Sequence, residues 1–96
     1  MNEEEFIKLL NAVLKIAKPF GDQLKQVTAM TDKFADLNVD SLDMLLTSIY
    51  MCDVFNISEE LGKTMQPVTV QDMRDFLFEH HRQMPETADA ALKEIV

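Results

Sequence analysis

A chain of 96 residues, 47% hydrophobic and 27% charged, is one domain that buries roughly 60–65% of the surface of its unfolded form, enough for a core but hardly for an enclosed enzyme cleft. Two glycines and three prolines argue against disorder and against a turn-rich β fold, which leaves an all-α domain. The net charge of −8 excludes a basic footprint for nucleic acid or an anionic membrane, and points instead to basic protein surfaces as partners.

Asn2 caps a first predicted helix, with Glu5 three residues on in a capping-box arrangement and Glu3 and Glu4 in the first turn, where the helix dipole favours acids. Phe6, Leu9, Leu10, Val13, Ile16 and Ala17 recur at helical spacing, and Pro19 with Gly21 ends the helix near Lys18. The connection from Asp22 to Phe34 is long for a compact domain, and its Leu24, Val27, Met30 and Phe34 are expected to plug the bundle.

Asp40 precedes the longest apolar helical pattern, predicted from Ser41 to Phe55. As N-cap it places Ser41 in the first turn, where unpaired N–H groups and the positive end of the dipole converge. Leu42, Leu45, Ile49 and Cys52 fall on one side, with Met44, Ser48, Met51 and Phe55 on an adjoining one. An apolar sector this wide predicts a central helix touched by several elements, with most of these side chains in the core. Asn56 to Gln66 is a loop with a short helical turn at Ser58–Leu61. Thr69 caps a further helix carrying Val70, Met73, Phe76 and Leu77, with Asp72 in its first turn. Beyond Pro85, Ala88, Ala91, Leu92 and Ile95 make one more apolar stripe, too short to persist alone in water and so expected to dock on the bundle.

Phe34-Ala35-Asp36-Leu37, then Asp40-Ser41-Leu42, a helix closing on Phe55, and the Val68-Thr69-Val70 start of a last bundle helix together resemble the acyl carrier protein family over about residues 1–81. The resemblance implies a four-helix acyl-carrier-type bundle over residues 1–83, with residues 84–96 as an appended C-terminal helical segment. It implies that Ser41 carries a 4′-phosphopantetheine arm taken from coenzyme A, whose thiol holds acyl groups as thioesters. The protein is then a phosphoprotein that presents intermediates of fatty-acid, lipid or polyketide synthesis, and not itself an enzyme. Expected partners are a phosphopantetheinyl transferase, and acyl ligases, synthases or acyltransferases with basic patches that dock on Asp40, Leu42, Asp43, Leu46 and Asp53. Met44, Leu45 and Ile49 are the expected shelter for the acyl chain, since methionine and leucine adapt to irregular gaps. Leu46 and Cys52 stand where glutamates are common in the family, so the docking face is partly apolar here. One explanation is that the C-terminal segment covers part of it.

Charge supports a partner-facing role for the serine turn. From Met1 to Val27 four lysines balance four acids, whereas from Thr28 to Gly62 one lysine stands against seven acids. One alternative within the carrier class and one of another class remain: a peptidyl or aminoacyl carrier, and a small acidic helical binding module resembling a calcium sensor. Asp36-x-Asn38-x-Asp40 begins like a calcium loop, but Ser41 replaces the required glycine and Thr47 the closing glutamate, so no metal is expected. Asn38 is explained by its tolerance of positive φ. Ser41 as a catalytic nucleophile would need a base, and His80 and His81 sit at a helix end, where they complement the dipole. Cys52 is alone, with no disulfide partner and no zinc spacing, and is expected to pack as a small hydrophobe. An acidic start, and no apolar run of about eighteen residues, predict a cytoplasmic monomer without stable membrane insertion.

Overall fold

The computed structural model describes residues 1–19 and 23–95. It is all helical among those residues: α1 spans Glu3–Ala17, a 3₁₀ turn Phe34–Leu37, α2 Ser41–Val54, α3 Glu59–Gly62, α4 Val70–His80 and α5 Ala88–Leu92. The nearest thing to a sheet among the described residues is an isolated antiparallel bridge between Lys33 and Thr69.

The helices begin where a short polar side chain takes up an orphan amide. Asn2, Asp40 and Thr69 do so as the sequence predicts, but the expected capping box at α1 is only half formed, because the Glu5 carboxylate accepts from the Ala88 amide of the C-terminal segment. Asn2 accepts from the Glu5 amide at 2.8 Å, Ser58 from Leu61 at 3.2 Å and Thr69 from Asp72 at 3.1 Å. Asp72 answers by accepting from the Thr69 and Val68 amides at 3.0 and 3.1 Å, which completes a capping box for α4.

The core is built on α1. Phe6, Leu9, Leu10 and Val13 are fully buried in one core with Met51 and Val54 of α2, Phe55 just beyond it, and Val70, Met73 and Leu77 of α4. Phe78 joins the two sides, edge-on to Phe6 at 5.9 Å and tilted against Phe55 at 5.8 Å, a geometry that suits the ring quadrupoles. The long connection does plug the bundle: Val27, Met30 and Phe34 are buried and Leu24 is half-buried. Its backbone is satisfied by side chains and by α4. Asn11 of α1 both donates to the Val27 carbonyl at 3.0 Å and accepts from its amide at 2.7 Å. The amides of Val70 and Gln71 donate to the carbonyls of Asp32 and Met30 at 3.0 and 2.8 Å, so the connection supplies acceptors to the first turn of α4.

The C-terminal segment docks, as its apolar stripe predicts, but on α1. Ala88 and Ala91 are fully buried, the Ala88 amide donates to Glu5 at 3.0 Å, and Lys8 pairs with Asp89 at 3.6 Å. The amides of Arg82 and Gln83 donate to the Phe55 carbonyl, and the Gln83 side chain donates to the Val54 carbonyl at 3.1 Å, which gives acceptors at the end of α2 their partners. The expectation that this segment covers part of the outer α2 face is therefore corrected: it reaches only the C-terminal end of that helix.

A second correction concerns α2 itself. Its buried face is Asp43, Thr47, Met51, Cys52 and Val54, whereas Leu42, Leu45 and Ile49 are 63%, 56% and 46% exposed. A helix that is apolar nearly all round gives no periodic signal to orient it, and α1 and α3 cover only one side. Two polar residues are carried inward as a result. Asp43 finds partners, and the Thr47 hydroxyl, fully buried, finds none.

Candidate functional site

Ser41 is the first residue of α2 and is exposed. The turn before it is held from three directions. Within the chain, Asp40 accepts from the Asp43 amide at 2.8 Å while Asp43 accepts from the Asp40 amide at 3.2 Å, a reciprocal cap on the helix start. From α1, Lys18 donates to the Asn38 carbonyl and lies 3.3 Å from the Asp43 carboxylate. From the connection, Gln23 accepts from the Asn38 side chain at 2.7 Å, and Leu37 from the Lys25 amide at 3.1 Å. Asn38 takes a left-handed conformation with φ 62°, which turns the chain from the 3₁₀ turn into the cap. Positive φ at that residue is what the sequence predicts.

The capping amide of Asp43 holds the Asp40 carboxyl below the usual carboxylate value; loss of hydration opposes this, and the positive charge of Lys18 adds a lesser lowering. Asp40 is therefore anionic at neutral pH and stands exposed beside Ser41. Lys18 is a residue that sequence reasoning passed over, since it read only as the last turn of α1. Nothing in the spacing reveals that a side chain twenty positions from Asn38 returns to it.

The five residues expected to meet partners do not share one environment. Asp40, Leu42 and Asp53 are exposed, Leu46 is half-buried, and Asp43 is 8% exposed with its carboxylate engaged by Lys18 and the Asp40 amide. Asp43 is thus placed to shape the turn and poorly placed to meet a second protein. The three residues expected to shelter an acyl chain also separate. Leu45 and Ile49 line a cavity of about 260 Å³ between α2 and α3, together with Ser48, Cys52, Ile57 and Gly62, whereas Met44 packs against the core elsewhere. Asp53, Glu59 and Lys63 stand at the cavity as its charged members. A larger and more open depression follows α1 and the 26–28 stretch, and Ser41 is not among its walls.

Cys52 is buried, as expected of a small hydrophobe, and burial pushes its thiol up, with Asp53 adding to the shift. A thiol so held is a poor nucleophile. His81 donates from its ring to the Phe78 carbonyl at 2.6 Å, so it serves the C-terminal end of α4, and the ring of His80 lies 4.6 Å from that of Phe76. Since the Arg82 amide reaches Phe55, both histidines belong to the end of α2 opposite Ser41, which a helix of fourteen residues sets about 20 Å away. They do not form a base for the serine. Among the described residues no three His, Cys, Asp or Glu side chains gather as a metal site requires, and the stretch from Asp36 to Asp40 spends its side chains otherwise: Asn38 on Gln23, Asp40 on the helix cap.

Fold and site together define a small all-α domain whose central helix presents a serine at its positive end, with an acidic surround and an apolar ridge beside it. Comparison of the chain with protein-family models, with curated proteins and with solved structures finds no match. No helix among the described residues is long and apolar enough to cross a membrane.

Proposed function

We propose that this protein is an acyl carrier: Ser41 bears a 4′-phosphopantetheine arm, and separate enzymes load, modify and unload acyl groups held as thioesters on its thiol. The observation that carries this reading is the exposed serine at the capped start of α2, in a turn clamped by Lys18, Asn38 and the Asp40–Asp43 pair. In the attachment step, Ser41 Oγ bonds to phosphorus as the pyrophosphate P–O bond of coenzyme A breaks. Adenosine 3′,5′-bisphosphate leaves, and the hydroxyl proton passes to the transferase. The protein supplies position alone.

A phosphodiester at this place gains about 0.3–1 kcal/mol from the helix dipole. Asp40 opposes it by repulsion across a solvent-exposed turn, while Lys18 lies 3.3 Å from the Asp43 carboxylate and offsets that neighbouring charge. Leu42 and the ridge of Leu45 and Ile49 offer a partner apolar contact, and Asp40 and Asp53 bracket that ridge with negative charge. A partner with an apolar hollow between basic residues complements this surface. Such charges speed encounter and fix orientation, and association weakens with salt.

The test is intact-protein mass after incubation with coenzyme A and a broad-specificity phosphopantetheinyl transferase, beside Ser41→Ala. A gain of one phosphopantetheine in the wild type alone is the expected result. No gain, with the protein folded by circular dichroism, overturns the reading and leaves Asp40-Ser41 as a plain helix cap.

A further inference from the structure

We infer that the outer face of α1 is a self-association surface: as concentration rises, two copies of this protein pair through it, antiparallel, about a two-fold axis. The inference does not rest on the carrier reading.

An open depression of about 940 Å³ runs along α1 from Glu4 to Lys15, with residues 26–28 as its opposite wall. It is preformed, because Asn11 holds the backbone of Val27 twice, donating to its carbonyl at 3.0 Å and accepting from its amide at 2.7 Å. Ile7 and Ala12 line it half-buried, and Glu4 and Lys15 stand exposed at its ends. The C-terminal segment reaches only its rim, where Asp89 meets Lys8 at 3.6 Å.

Charge selects the occupant. The chain carries −8, yet four lysines balance four acids up to Val27, so the whole excess lies beyond that residue. Two acidic molecules therefore approach each other with least repulsion across this depression. A basic partner is drawn instead to the acidic turn around Ser41, which is not among the walls. Along the depression the charges run in one direction, with Glu3 and Glu4 at the N-terminal end of α1 and Lys15 at the other. Glu4 and Lys15 are about three full turns apart, so they share one face of the helix at a separation of ~16 Å. A surface acidic at one end and basic at the other complements itself when turned end for end, which is what a two-fold interface requires.

The register follows from the same residues. Centred between Leu9 and Leu10, it sets Glu4 against Lys15 of the second copy, Ile7 against its Ala12, and Lys8 against its Asn11. By symmetry each contact is made twice, so two ion pairs bracket two apolar contacts in which a large side chain meets a small one. A strip about three turns long and about 10 Å wide buries less than the ~1,200 Å² of stable complexes, so the pair is weak. The monomer expected from the sequence is then the dilute form. Since Lys18, in the turn after Lys15, donates to the Asn38 carbonyl of the serine turn, the pair carries its two serine turns at opposite ends of the paired helices.

The experiment follows translational diffusion and amide chemical shifts of the full chain by NMR from about 10 µM to about 2 mM, a range that reads weak affinities. Slower diffusion at high concentration is expected, with concentration-dependent shifts at Glu4, Ile7, Ala12, Lys15 and Thr28. Glu4→Lys and Lys15→Glu each place like charges opposite one another twice, so each variant alone should pair about tenfold or more less tightly than the wild type. An equimolar mixture of the two should pair as the wild type does, because every acid again faces a base. Circular dichroism checks that each variant is folded, and recovery in the mixture reports the pairing itself, which a misfolded variant would not regain. A monomer throughout the range overturns the inference. So do shifts centred on Leu42, Leu45 and Ile49, which would assign the contact to the apolar ridge of α2, and so does failure of the mixture to recover.

Discussion

Replacing Lys18 by methionine tests the clamp on the serine turn most directly. The substitution keeps the aliphatic stem and removes the ammonium that meets the Asn38 carbonyl and lies 3.3 Å from Asp43. The Asp43 side chain is 11% exposed and that of Lys18 27%. Removing one partner of a fully buried pair costs about 3–5 kcal/mol and an exposed pair is worth about 0–1, so this partly screened case should lie near 1–2 kcal/mol. For a domain of this size that is a fall of about 5–15 °C in melting temperature. Urea denaturation followed at 222 nm, with the slope unchanged between variants, measures it. Asp43→Asn keeps a capping oxygen and loses the charge. The double variant should therefore be more stable than the two single losses predict, by about 1 kcal/mol or more. Additive losses would show that the ion pair does not hold the turn, and the account of Asp43 as a shaping residue would fail with it.

Acidification should weaken the fold through three carboxylate-held turns at once, two at helix starts and one in the long connection. Asp32, Asp40 and Asp72 are each held below the usual carboxylate value of 3.8 chiefly by backbone amides, those of Thr28, Asp43 and Thr69 respectively. Between the unfolded and folded values the unfolded chain binds more protons. The stability they contribute is therefore present above about pH 4 and is lost as pH falls through the depressed range. Urea midpoints from pH 6 to pH 2 should show that decline, flattened in the Asp32→Asn, Asp40→Asn, Asp72→Asn triple variant; an unchanged slope refutes the assignment. Truncation after Arg82 removes Ala88, Ala91 and the Gln83 contacts, and should destabilise the domain by about 2–4 kcal/mol, as the loss of well-packed core contacts does. Its amide shift changes should fall at Glu5, Phe6, Val54 and Phe55. Large changes from Leu42 to Ile49 would contradict the docking of α5 on α1.

The starts of the helices are written in single side chains, and they were legible. Asn2, Asp40 and Thr69 each need only one amide three residues ahead, so local sequence decides them. The positive φ of Asn38 was legible too, because asparagine tolerates it, though the partners that hold the turn, Gln23 and Lys18, were not. The core face of α1 was clear for Phe6, Leu9, Leu10, Val13 and Ala17, because its apolar stripe has a single direction, but Leu14 is buried where Ile16 was expected and Ile16 is only half-buried. The all-α architecture and the placement of Ser41 at the head of α2 follow from these alone.

What stayed hidden were the facts that depend on which neighbour covers which side. α2 is apolar almost all round, so sequence could not choose between burying Leu42, Leu45 and Ile49 and burying Asp43 and Thr47; the position of α1 and α3 chose the second. The same packing opened the cavity beside Leu45 and Ile49, shut Met44 away from it, and brought Lys18 across to Asn38 and Asp43. It also sent the C-terminal stripe to α1, whereas one explanation of the apolar Leu46 and Cys52 had placed it on the outer face of α2. Caps and turns are settled by hydrogen bonds a few residues long, which the sequence by itself determines. Helix orientation is settled by contacts between segments far apart in the chain, and only the tertiary structure brings those together.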